Sequence, residues 1–127
     1  MPVIKIELIK GREKNHLLQI KDEVMNAVVE SLLLPDNDRN IRIQEYEADF
    51  FSMKSPYEIL IEIIMFEGRT KETKKLLYQK IVDNLYQKQL VDKSKVFIIL
   101  NEQALENWGV RGGVPADEIM LDFKVNI

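Results

Sequence analysis

The feature that most constrains this 127-residue chain is an internal duplication: residues 58–101 repeat residues 2–48 at an offset of 57. Ile4 falls on Ile61, Ile6 on Ile63, Ile9 on Phe66, Gly11 on Gly68, Arg12 on Arg69 and Lys14 on Lys71. In each copy an apolar run ends at glycine, and a stretch with apolar residues three and four apart follows. This is the signature of a strand handing over to a helix. Val3 to Ile9 reads as a half-buried strand, about Glu13 to Leu33 as a helix, and Asn40 to Glu47 as a second strand. The second copy reads as a strand over Glu58–Phe66, a helix over about Thr70–Gln89 with Thr70 as N-cap, and a strand over Val96–Leu100. Phe50 to Pro56 is a loop or small hairpin.

A strand–helix–strand unit of this length takes a right-handed crossover with its strands parallel. Two units side by side give an α+β domain: a four-stranded mixed sheet with both helices on one face. Glu58–Phe66 is apolar on both sides apart from Glu62, so the uncovered face is expected to be buried against further copies of the chain. One domain, 1–127, is the expectation at this length. After the second unit, residues 102–127 hold a glycine-containing loop (Asn107 to Gly113). Ile119, Leu121, Phe123 and Val125 then alternate with polar positions, as in a short edge strand.

Composition removes several classes of function. With no cysteine, thiolate catalysis and Cys-based metal sites are excluded. One histidine, His16, rules out a His-rich metal site and argues against a Ser-His-Asp triad; it reads as a surface residue in the first turn of the first helix. The carboxylates show no metal-ligand spacing, and neither a dinucleotide fingerprint nor a P-loop is present, so no cofactor is expected. A net charge of −3 with mixed signs argues against nucleic acid. The apolar start is interrupted by Lys5 and Glu7 and is neither a signal peptide nor a membrane span. A cytoplasmic location is the default.

Five residues remain as candidates for chemistry. Pro2 simply begins a strand if it stays internal. If Met1 is removed, it becomes a secondary amine whose pKa burial and a nearby cation would lower, poised for proton transfer. Arg12 and Arg69 each follow a glycine at a strand–helix junction. There a solvated turn arginine and a carboxylate-binding guanidinium beside a helix N-terminus are both consistent readings. Asp38, in Pro35-Asp36-Asn37-Asp38, reads by itself as a turn or capping residue. Trp108, in a loop after the last repeat strand, reads by itself as packing at a subunit interface.

The initial Met1-Pro2, Gly11-Arg12, Pro35-Asp36-Asn37-Asp38-Arg39 and Gly68-Arg69-Thr70 together resemble the tautomerase superfamily. The similarity is to its fused-repeat branch, which includes malonate semialdehyde decarboxylase, and it covers most of the chain. That resemblance implies two β-α-β units, assembly as a homotrimer, and catalysis by the amino-terminal proline without a cofactor. Pro2 would then be the general base and Arg69 the substrate-binding arginine. Asp38 would be the decarboxylase-type aspartate, Arg12 the first-repeat arginine of the short 4-oxalocrotonate tautomerases, and Trp108 a pocket wall. Where the decarboxylase carries Arg-x-Arg, this chain has Glu67-Gly68-Arg69. A glutamate facing inward would repel an acidic substrate. The expected activity is therefore keto–enol tautomerisation of small 2-keto acids. Decarboxylation or hydration by a protonated Pro2, or a non-catalytic binding role, are the alternatives.

Overall fold

A computed structural model describes residues 1–127. Strand β1 (Val3–Ile9) leads into helix α1 (Lys14–Leu32) and strand β2 (Ile41–Tyr46). Strand β3 (Ile59–Phe66), helix α2 (Lys71–Gln87) and strand β4 (Val96–Gln103) repeat that order. Helix α2 starts where the sequence places it, because the Thr70 side chain accepts a hydrogen bond from the Thr73 amide. The sheet order is β2-β1-β3-β4, with β1 antiparallel to β3 and each outer strand parallel to its neighbour.

The duplication is written into the register. Ile4 pairs with Ile41 and Ile61 with Ile98, so both parallel pairs join residues 37 apart in sequence. At the centre, Ile4 faces Ile63 and Ile6 faces Ile61, and the offset of 57 exchanges these two pairs. A pseudo-twofold axis therefore passes between β1 and β3, and the two ends of the sheet are two versions of one place.

Both helices cover one face. Ile4, Ile6 and Leu8 from β1 and Ile59, Ile61, Ile63 and Met65 from β3 are fully buried there. They pack on Ile20, Val24 and Val28 of α1 and on Leu77, Ile81 and Leu85 of α2. The other face carries Val3, Leu60 and Ile64, with Phe97 37% and Ile99 44% exposed, around the charged Lys5, Glu7 and Glu62.

Three expectations are corrected. Strand β4 runs on to Gln103 rather than ending at Leu100. His16 is half-buried rather than a surface residue, with Nε2 3.1 Å from the Leu90 carbonyl oxygen. The third is the tail, 119–127, which forms no strand. Its alternation is real, since Ile119, Leu121, Phe123 and Val125 are each more buried than the residues between them. Alternation reports an extended segment packed on one side; a strand also needs a free edge to pair with. The only extra ladder after β4 is a short hairpin of β5 (Gly109–Val110) and β6 (Val114–Pro115). The tail crosses the β3–α2 junction instead. Its Ile127 carbonyl oxygen accepts from the Thr70 and Thr73 hydroxyls at 2.9 and 2.6 Å.

Candidate active site

Strand polarity decides which candidates meet. The starts of β1 and β2 lie beside the ends of β3 and β4, which brings the chain's amino end, Asp38 and Arg69 together. Pro2 is buried between β1 and this cluster. The Met1 amine donates to Asp38 Oδ2 at 2.7 Å. Asn40 Nδ2 donates to Asp38 Oδ1 at 3.0 Å, which fixes the carboxylate. Burial pushes the amine's pKa below its ordinary value. The Asp38 hydrogen bond and charge oppose that shift, Arg69 reinforces it, and Asp122 opposes it.

Arg69 is 5% exposed. Its Nη1 donates to the Phe66 carbonyl oxygen at 3.2 Å, and the guanidinium lies 5.7 Å from the Phe123 ring centroid. Its Nε and Nη2 are buried without an acceptor. Two unmet donors on a buried cation are costly unless a ligand supplies the acceptor. Burial lowers the Arg69 pKa, and the nearby Glu102 carboxylate works against that. Glu102 is in turn held by Lys74 Nζ at 2.5 Å.

The apolar wall is aromatic. Trp108 meets Phe66 edge-on at 4.7 Å between centroids, and Phe123 stacks on Phe66 at 6.1 Å. Trp108 Nε1 is a further buried donor without a partner. Glu67 is exposed, and its charge is not among those acting on the amine or on Arg69. Within the chain Glu67 therefore does not face inward.

Pro2, Asp38, Arg69 and Trp108 thus share one end of the sheet. Arg12 does not join them within the chain. It sits at the far end of β1, where its Nη2 lies 3.7 Å from Glu58 Oε2. Sequence reading passes over Phe66, Asp122, Phe123 and Glu102, which surround the cluster. The only signal for Phe123 is the alternation of the tail, and nothing in it points to the cluster across more than fifty residues of chain.

The family model described as "Tautomerase enzyme" matches residues 38–111. The chain belongs to the tautomerase family. It is 28% identical to Probable tautomerase YusQ of Bacillus subtilis over 121 residues, covering 89% of this chain and 95% of that one. Among solved structures, the FG41 malonate semialdehyde decarboxylase inhibited by 3-bromopropiolate superposes with a TM-score of 0.79 at 27% identity. That match covers 89% of this chain and 92% of the other. A fused 4-OT solved as a symmetric trimer superposes with a TM-score of 0.80 over 91% of this chain and 96% of its own. At 20% identity that second likeness speaks for the fold alone.

Proposed function

We propose that this tautomerase-family protein is a cofactor-independent enzyme catalysing keto–enol tautomerisation of small 2-keto acids, with Pro2 as the general base after removal of Met1. The carrying observation is the part-buried Met1 amine, 2.7 Å from Asp38 and next to the buried Pro2, beside a buried arginine with two unmet donors. Removing Met1 moves the amine one residue, about 3.8 Å between Cα positions, toward the buried Pro2. It also vacates the space next to Asp38 and Arg69. Burial and the Arg69 charge, which lower the pKa of the Met1 amine, would act in the same direction on a Pro2 amine, and its neutral form is a competent base. Pro2 takes the proton from the enol hydroxyl and the oxygen becomes a carbonyl. The electron pair shifts to the neighbouring carbon, which receives the proton back from the Pro2 ammonium. Arg69 binds the substrate carboxylate through Nε and Nη2 and stabilises the developing enolate. Trp108 and Phe123 keep the pocket dry, and Asp38 orients the amine.

One observation favours a second reading. Asp38 holds the charged Met1 amine at 2.7 Å, and if it stabilises a Pro2 ammonium likewise, Pro2 would act as a general acid in decarboxylation or hydration of a 3-oxo acid. The two readings differ in the sign of the pH dependence.

Three further elements belong to this proposal. The apolar residues on the open sheet face are covered by two further copies in a homotrimer. Arg12 is assigned to substrate binding only if a neighbouring copy brings another Pro2 to it. The enzyme works in the cytoplasm; no helix is long and apolar enough to cross a membrane.

The test is turnover of phenylenolpyruvate and 2-hydroxymuconate, followed by ultraviolet absorbance, on protein whose intact mass shows Pro2 at the amino terminus. Turnover should vanish in Pro2→Ala and fall about 10²–10³-fold in Arg69→Ala. Equal turnover in wild type and both variants would sink the assignment.

A further inference from the structure

The pseudo-twofold axis that carries one end of the sheet onto the other pairs each member of the amine cluster with a counterpart. By the offset of 57, Arg69 corresponds to Arg12, Pro2 to Ile59, Met1 to Glu58 and Asp38 to Lys95. The local ion pair survives with its signs exchanged. At the first end the amine lies 2.7 Å from Asp38 Oδ2; at the second, Lys95 Nζ lies 3.3 Å from Glu58 Oε1. The base is lost, because the Ile59 nitrogen is an amide with no basicity. The arginine is kept, and a lysine stands where the aspartate was.

The second end is also open where the first is closed. Phe123 of the tail lies against the Arg69 guanidinium, whereas Arg12 borders a cavity of about 440 Å³ whose lining includes Glu58, Leu90, Val91, Asp92 and Lys95. That volume lies within the range of small-molecule sites, about 300–1,000 Å³. Leu90 and Val91 are 8% and 6% exposed and form an apolar floor. Arg12 makes no hydrogen bond to another side chain or to the backbone. Its one ionic neighbour, Glu58 at 3.7 Å, is shared with Lys95 and is about half exposed.

We infer that this second end is a non-catalytic binding site for a small carboxylate, held by Arg12 and Lys95 in the place occupied by Glu58. The ligand's carboxylate displaces that of Glu58 from Arg12, where the guanidinium fork can receive it bidentately. Asp92 lies 4.0 Å from Lys95 and is largely exposed. No proton is transferred, since no titratable base takes the position of the Pro2 amine. The site shares no residue with the amine cluster, and binding there does not depend on catalysis at Pro2.

Amide NMR titration with malonate as the probe tests this, because the two ends report separately. Malonate should shift the amides of Arg12, Glu58, Ile59 and Lys95 saturably, apart from any shifts at Asp38 and Gly68 to Thr70. Arg12→Gln should weaken the far-end response about ten- to a hundredfold. Glu58→Gln removes the competing carboxylate and should tighten binding. It keeps the arginine, so it remains informative if Arg12→Gln fails to fold. Saturable shifts confined to the amine end, far-end shifts unaffected by Arg12→Gln, or weaker binding in Glu58→Gln would each overturn the assignment. Loss of shifts at the amine end alone would count against the catalytic reading and leave the second site standing.

Discussion

At the scale of single residues, the site turns on how four charges share one corner: the amine, Arg69, Asp38 and Asp122. The Met1 amine is pulled down by burial and by Arg69 and held up by Asp38 and Asp122, and a Pro2 amine exposed by loss of Met1 is expected to meet the same groups. Asp38→Asn removes the largest of the opposing influences, so the amine pKa should fall further. With Pro2 as base, activity requires the neutral amine and rises with pH through its pKa; Asp38→Asn should move that rise to lower pH. With Pro2 as acid, activity falls with pH through the same pKa, and the variant should move the fall to lower pH. The wild-type kcat/KM profile against pH therefore distinguishes the two chemistries, and the Asp38→Asn profile checks that the amine sets it. An unmoved profile would remove the amine from the mechanism. Pro2, Asp38, Arg69 and Trp108 stand out in the sequence through the family resemblance, because their local patterns (a second-position proline, a turn, a glycine–arginine junction, a loop aromatic) each fit a purely structural reading as well. Asp122 and Phe123 do not, because their role depends on where a distant segment folds back, and no local pattern records that.

At the scale of elements, the duplicated glycines give a controlled comparison. Gly11 and Gly68 hold φ of +135° and +130°, a region that L side chains avoid. A Cβ on Gly11 would meet nothing within 4 Å, whereas one on Gly68 would meet Asn126 Oδ1 at 2.8 Å and Val125 Cγ1 at 2.9 Å. Both alanine variants should lose stability from backbone strain, about 1–3 kcal/mol. Gly68→Ala should lose more and should also lower turnover, because it lifts the tail that packs on Arg69 through Phe123. Urea unfolding compared across the two variants measures the difference; equal losses would mean the tail is not held at Gly68. The strands and helices of both repeats were readable from periodicity, since each buries one face in its own half of the core. The tail's apolar side was equally readable. What it packs against was not, because alternation is the same for a paired strand and for an unpaired strap.

At the scale of the whole molecule, the sheet has one face covered by helices and one face that its own chain leaves open. Phe97 and Ile99 stand there beside Leu60 and Ile64, in a chain whose helix-facing positions are already complete. Sedimentation should give a particle of three 14.9 kDa chains. Ile99→Lys, exposed in the single chain, should shift that particle toward monomer while helical circular dichroism is retained. A trimer indifferent to that change would place the contact elsewhere. The duplication foretold this architecture, because two β-α-β units can close only one face of the sheet they share.

The central claim is that an amine at Pro2, freed by loss of Met1, titrates below the ordinary α-amine value in a corner built from Asp38 and Arg69. Its most direct test is a ¹⁵N NMR titration of the Pro2 nitrogen in protein whose mass confirms loss of Met1. The account predicts a midpoint below the ordinary α-amine value of about 8, moving lower still in Asp38→Asn. A midpoint at or above that value, or a native amino terminus that retains Met1, would contradict it.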